Sequence, residues 1–272
     1  MPRRSALGGA LAAAAALLAG CAAMTGGAPD YSAPGAFSVV SRAEGPDCTV
    51  FRPEQMGGKK HPVILWGNGT VSKVPAYTPM LSHWASQGFV VAAANTNSAG
   101  SGAPILACLD YLTQENARAG SVFQGRLDLT KIGVSGHSQG GGGTIMAGRD
   151  PRITATAPIE AYTLGLGYQK GAEGRQHGPM LLLSGGKDTT AIPERNQKPV
   201  FDAANVPVFW ATLKDATHAV PASGDSGLFR VATTAWFRWK LMGDETAGRW
   251  FKGADCDLCK SSDWTVQRRG GG

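Results

Sequence analysis

The ten residues Ile132-Gly133-Val134-Ser135-Gly136-His137-Ser138-Gln139-Gly140-Gly141 have the types and spacing to present a hydroxyl for attack on an acyl carbon. A β-branched run passes directly into Gly-x-Ser-x-Gly and then into a glycine-rich helix start. A strand that turns sharply into a helix holds its central serine in a strained conformation, and only glycine at 136 and 140 lets the neighbouring chain pass that closely. The helix that follows points its N-terminus at the serine and favours negative charge there. A plain glycine turn with a solvent-facing serine would leave the strand before it and the helix after it without a use.

A serine hydroxyl is a weak nucleophile until a base takes its proton, and that base must be a histidine brought near by the fold. Of the five histidines, His61 precedes Pro62 before an early strand, His83 lies within an amphipathic helix, His137 sits in the turn itself and His177 is in a polar loop. His218 follows the late run at 208–213, on the edge where α/β folds gather their sites, and is the expected base. Its orienting acid should follow the preceding strand. Residues 180–184 run into Gly185-Gly186-Lys187-Asp188, so Asp188 stands just past a strand end, where it would accept the imidazole Nδ1 proton and stabilise the imidazolium. Asp215 is nearer His218 in sequence, but a base and its orienter usually come from different strand ends. The oxyanion needs two backbone donors. The Gln139 N–H is one, and Gly67-Asn68-Gly69-Thr70 should supply the other, with Asn68 preferred to Gly69.

These residues need a frame. Short β-branched runs at 37–41, 49–52, 63–66, 89–93, 132–135, 153–157, 180–184 and 208–213 alternate with helical stretches at 77–87, 103–119, 141–148, 193–203 and 227–242. The alternation predicts an α/β fold, a mostly parallel eight-stranded sheet with helices on both faces. A 272-residue chain that is 43% hydrophobic and 17% charged fits one globular domain, expected over 36–272 with a frayed end at 270–272. No internal repeat interrupts it.

The first residues differ in kind. Arg3 and Arg4, the apolar run at 6–19 and Leu18-Ala19-Gly20-Cys21 read as an export signal over 1–20, because an apolar run of about 14 residues is too short to span a bilayer. Leu-Ala-Gly-Cys resembles a bacterial lipobox, so Cys21 is expected to carry a lipid and residues 21–35, small and Gly/Pro-rich, to form a flexible tether. An ordinary cleaved signal with an incidental Cys21 is the alternative. Export leaves Cys48, Cys108, Cys256 and Cys259, an even number in an oxidising compartment. Three pairings exist; the closeness of Cys256 and Cys259 favours a local bridge, with Cys48 and Cys108 as the second. The CxxC lacks the surroundings of a redox motif or a zinc site. The formal charge of +6 falls to +4 without residues 1–20, which hold Arg3, Arg4 and no acid. Nucleic-acid binding has no support, while a mildly basic surface suits anionic membranes or polymers.

The chain resembles the bacterial cutinase and poly(ethylene terephthalate) hydrolase group of the α/β-hydrolase superfamily, with chlorophyllase-like esterases nearby. The similarity spans 63–239 and rests on Ser86-Gln87-Gly88-Phe89-Val90-Val91 before Asn95-Thr96-Asn97-Ser98, on Gly136-His137-Ser138-Gln139-Gly140-Gly141-Gly142-Gly143, on Ala157-Pro158 and on the Asp188 and His218 turns. The resemblance implies Ser138, Asp188 and His218 as the triad, Gln139 and Asn68 at the oxyanion, and Tyr162 and His137 as substrate contacts, Tyr162 stacking on the acyl group. It implies no metal and no cofactor. Two departures stand out: these enzymes usually have Met where this chain has Gln139, and Tyr or Phe where it has Asn68-Gly69, so both changes remove apolar surface from the cleft.

The expected activity is carboxylic ester hydrolysis through an acyl-enzyme on Ser138. With no long lid insertion, an exposed cleft would admit bulky or polymeric esters. An acyl-sugar esterase of the same fold is the near alternative. A non-catalytic surface lipoprotein would need an inert residue at one of the three positions, and none is there; a dienelactone hydrolase usually carries Cys in place of Ser138. A monomer is expected.

Overall fold

The computed structural model describes Met1, residues 30–45 and residues 47–270. Beyond Met1, the expected export signal, Cys21 and the first part of the expected tether, through residue 29, lie outside the described residues.

Strands form where β-branched and apolar residues run together: β1 (Val39–Glu44), β2 (Cys48–Pro53), β3 (His61–Gly67), β4 (Val90–Ala94), β5 (Leu127–His137), β6 (Ala155–Ile159), β7 (Met180–Gly185) and β8 (Val208–Leu213). A last strand, β9 (Trp264–Arg269), completes one sheet in the order β1-β2-β4-β3-β5-β6-β7-β8-β9. Pairing is parallel from β4 across to β8 and antiparallel at both edges. Among the described residues the sheet therefore has nine strands where the sequence pattern predicted eight. In β9 only Trp264 is buried, and Thr265-Val266-Gln267-Arg268-Arg269 lacks apolar alternation. Ladder bonds to β8 and an exposed, charged outer edge make it a strand, and neither shows in local sequence.

The expected helices are present as α1 (Thr78–Ser86), α2 (Ala103–Ala117), α3 (Gln139–Ala147), α4 (Pro193–Ala203) and α5 (Gly227–Met242), followed by short turns α6 (Glu245–Gly248) and α7 (Asp257–Lys260). Side chains alternate across each strand, so Ile64 and Trp66 pack with α1 and α5, while Val63 and Leu65 pack with α2. Met180, Leu182 and Trp210 pack with α3 and α4 on that second face. Burying a side chain such as Leu65, fully excluded from water, contributes about 1.5–3 kcal/mol. Helices on both faces leave the carboxyl ends of β3, β5, β6, β7 and β8 as the edge on which side chains can meet a ligand.

The folded body begins before residue 36. Tyr31 is buried, its ring lies edge-on to Trp250 at 5.7 Å, and its carbonyl accepts a bond from His83 Nε2 at 3.0 Å. The Gly35 N–H donates to Ser86 Oγ at 2.8 Å. The end of the expected tether is thus docked, because one aromatic found a slot that its small, Gly/Pro-rich neighbours gave no sign of. Both favoured disulfides are present: Cys48–Cys108 ties β2 to α2, and Cys256–Cys259 closes a local loop.

Candidate active site

Strand β5 ends at His137 and helix α3 starts at Gln139, which leaves Ser138 alone to turn the chain. It does so at φ +56°, in the left-handed region that residues other than glycine rarely occupy. The turn is pinned from both sides: Ser138 N–H donates to the Ile159 carbonyl at 3.1 Å, and the Ser138 carbonyl accepts from Tyr162 N–H at 2.8 Å. A Cβ at Gly136 would lie 2.3 Å from the Gly140 carbonyl oxygen, and one at Gly140 would lie 2.1 Å from that of Gly67. Helix α3 can cross the ends of β3 and β5 only with glycine at both positions.

His218, on the loop after β8, places Nε2 2.8 Å from Ser138 Oγ and Nδ1 2.7 Å from Asp188 Oδ2. The other Asp188 oxygen accepts the Thr190 and Ala191 N–H groups, each at 2.8 Å. Burial works to raise the Asp188 carboxyl; the His218 bond, the two amides and the imidazole charge outweigh it and hold the group below its ordinary value. Asp215 instead points into solvent and pairs with Lys187 at 2.7 Å. Among the other histidines, His61 lies between the Gly88 and Met56 carbonyls, His83 reaches Tyr31, and His177 belongs to a separate surface hollow. A hydroxyl, an imidazole and a carboxylate bonded in series can move a proton off the hydroxyl and return it later to a departing alkoxide.

The first amide of α3, that of Gln139, has no helical turn before it to accept its hydrogen. Asn68 follows directly on β3. Its side chain is fully buried and committed, donating to the Ala94 and Thr96 carbonyls at 2.8 and 2.9 Å and accepting from Trp66 Nε1 at 3.0 Å. The residue that borders the serine is Gly69, where an added Cβ would lie 3.4 Å from Ser138 Cβ. Its N–H donates to Tyr77 Oη at 3.2 Å, and Tyr77 Oη also lies 2.9 Å from His137 Nδ1.

His137 was expected to touch substrate, yet it is buried behind the nucleophile. One nitrogen faces Tyr77, and the other lies 3.4 Å from Glu160 Oε2. The reason is alternation: the last residue of β5 points to the opposite side from the serine's turn. Tyr162, in contrast, is only partly buried, and its N–H donates to the nucleophile's carbonyl. Glu160 and Tyr77 are additions that sequence reasoning missed. Glu160 follows directly on β6, and the same strand-end signal that pointed to Asp188 could have found it.

Glu160 is wholly buried, at φ +45°, and among the described residues neither carboxyl oxygen has a hydrogen-bond partner. Burial, with the charge of Asp188, pushes its carboxyl up to about 9, so it is neutral at ordinary pH. Burial, with the charge of His218, lowers His137 to about 3, so its imidazole is neutral too. His137, Glu160 and His218 hold ligand-type atoms within 4.8 Å of one another. Both His218 nitrogens are already bonded to Ser138 and Asp188, so His218 offers no free ligand atom to a metal ion.

A family profile described as PET hydrolase-like matches residues 23–265 of the chain. Bis(hydroxyethyl) terephthalate hydrolase of Streptomyces coelicolor is 28% identical over 193 residues, 65% of this chain and 58% of that protein. Cutinase est2 of Thermobifida alba is 29% identical over 181 residues, 60% of this chain and 58% of the relative. For cutinase cut1 of Thermobifida fusca the figures are 28% over 168 residues, 56% and 50%. The chain thus spans a little over half the length of the curated relatives it matches.

Proposed function

The chain belongs to the PET hydrolase-like family, and from that premise we propose that it is an exported, cutinase-like serine hydrolase of carboxylic esters. The observation that carries this reading is the unbroken series Ser138 Oγ, His218, Asp188 at 2.8 and 2.7 Å. His218 takes the serine proton as Oγ attacks the ester carbonyl, Asp188 holds the imidazole in the right tautomer, and the proton then goes to the leaving alkoxide. Water, activated by the same base, releases the acid from Ser138. The Gln139 N–H and the backbone N–H of Asn68 serve the oxyanion, and Tyr162 lies against the acyl group.

A bulky or polymeric ester is supported by what surrounds the serine. Val71, Leu164 and Leu166 are exposed apolar side chains on the loops after β3 and β6, and Gln139 Nε2 holds the Leu166 carbonyl at 3.2 Å. They return apolar surface that Gln139 and Gly69 take away. An acyl-sugar esterase of the same fold, acting through the same triad, is the second reading. The export signal, with Cys21 as the lipid attachment point, is part of the proposal, and the two disulfides agree with an oxidising compartment.

The test is hydrolysis of a short p-nitrophenyl ester, a polyester film and an acetylated sugar by the chain and by Ser138→Ala. Ester activity lost in the variant is the expected result, and the film against the sugar separates the two substrate readings. A folded wild-type chain inactive on all three would overturn the assignment.

A further inference from the structure

Strand ends β6 and β7 both deliver an acid to the same imidazole nitrogen. Asp188 Oδ2, after β7, lies 2.7 Å from His218 Nδ1, and Glu160 Oε2, after β6, lies 3.7 Å from it. The second approach is built with care. Glu160 takes a left-handed conformation that costs it energy, its N–H is held by the Leu183 carbonyl at 2.8 Å, and a Cβ at Gly185 would come within 2.3 Å of its Oε1. A carboxyl buried without a bonded partner is expensive, so a site that keeps one beside its base has a use for it.

We propose that Glu160 is a second positioning acid for His218, held in reserve by Asp188. This rests on the esterase reading above. The groups facing Glu160 are Asp188 from the turn after β7, His218 from the loop after β8 and His137 from the end of β5, with Tyr77 from the segment before α1 behind His137. Both carboxyl groups face one imidazole nitrogen, and Asp188, with its two amide bonds, is the one that keeps the charge. The proton stays on Glu160. Loss of the Asp188 side chain removes the smaller cause that keeps Glu160 neutral, the Asp188 charge, and the space it leaves admits water, which weakens the larger cause, burial. Glu160 then gives its proton to solvent, and its carboxylate, after a shift of about 1 Å to hydrogen-bond distance, accepts the His218 Nδ1 proton. No other bond changes, and Ser138 is still deprotonated through Nε2.

A double-mutant cycle tests this on the full chain, with Asp188→Ala, Glu160→Gln and the combined variant assayed on a soluble ester beside Ser138→Ala. Asp188→Ala should lower kcat/KM by about 10²-fold, well short of the ~10⁴ typical of losing the only orienting acid. Adding Glu160→Gln to it should cost at least a further tenfold beyond its cost in the wild-type background. The low-field His218 Nδ1 proton resonance should persist in folded Asp188→Ala and vanish in the double variant. Equal activity of Asp188→Ala and the double variant, with no such resonance in either, overturns the second acid while leaving the esterase intact. A wild-type chain without esterase activity sinks the parent reading instead, and the resonance still decides whether Glu160 reaches His218.

Discussion

Glu160 shows what one buried side chain does to the response of the whole protein to pH. The unfolded chain releases this proton near 4.5 and the folded one keeps it to about 9. Above 4.5 the folded state therefore binds more protons, and its stability falls as pH rises toward 9. His137 acts in the opposite sense: its pKa drops from 6.5 to about 3, so its contribution is whole above 6.5 and is lost as pH falls toward 3. Between 4.5 and 6.5 the two slopes oppose each other, and above 6.5 the Glu160 slope stands without it. At about 1.4 kcal/mol per pH unit, moving from pH 6.5 to 8 should lower the wild-type Tm by about 4–8 °C more than that of Glu160→Gln. Calorimetry on the two proteins checks it. Equal shifts would remove the buried proton.

At the scale of elements, the site is a crossing. The ends of β3 and β5 and the first turn of α3 meet with backbone against backbone, and Gly67, Gly136 and Gly140 are where they touch. Gly140→Ala must push α3 off the Gly67 carbonyl, which moves Ser138 and the Gln139 amide with it. We expect a loss of more than about 3 kcal/mol in urea unfolding, or failure to fold. Gly125→Ala is the control, since at φ +62° it has nothing within 4 Å of an added Cβ and should cost only about 1 kcal/mol. Gly140 is helical and not at positive φ, so a loss there no larger than that at Gly125 would mean that the crossing does not set the cost.

For the whole molecule, the Cys48–Cys108 bridge joins positions 60 residues apart and fastens the antiparallel edge of the sheet to α2. Chain entropy predicts about 4 kcal/mol of stabilisation for a loop of that size and about 2 kcal/mol for the four-residue loop of Cys256–Cys259. Replacing each pair by serine and measuring chemical unfolding should give losses in that order. A larger loss from the short bridge would show that it acts through native contacts at the β8–β9 edge rather than through the unfolded chain.

Local patterns in the sequence were enough for much of this protein. The ends of α4 and α5 and of β8, the turn at Ser138 and the strand-end positions of Asp188 and His218 all follow from periodicity and glycine placement. These signals act within a few residues of one another, so sequence carries them directly. Tertiary structure alone decided the rest. The polar strand β9 exists because β8 offers it an edge, and Tyr31 is docked because α1 and the 250 region leave room for its ring. The Asn68 side chain is fixed by Trp66, Ala94 and Thr96, partners that only the folded sheet brings to it. Glu160 read as an ordinary acid until β6 and β7 brought it between two histidines and against Asp188. Burial and the charges of groups distant in sequence set its proton, and both exist only once the chain has folded.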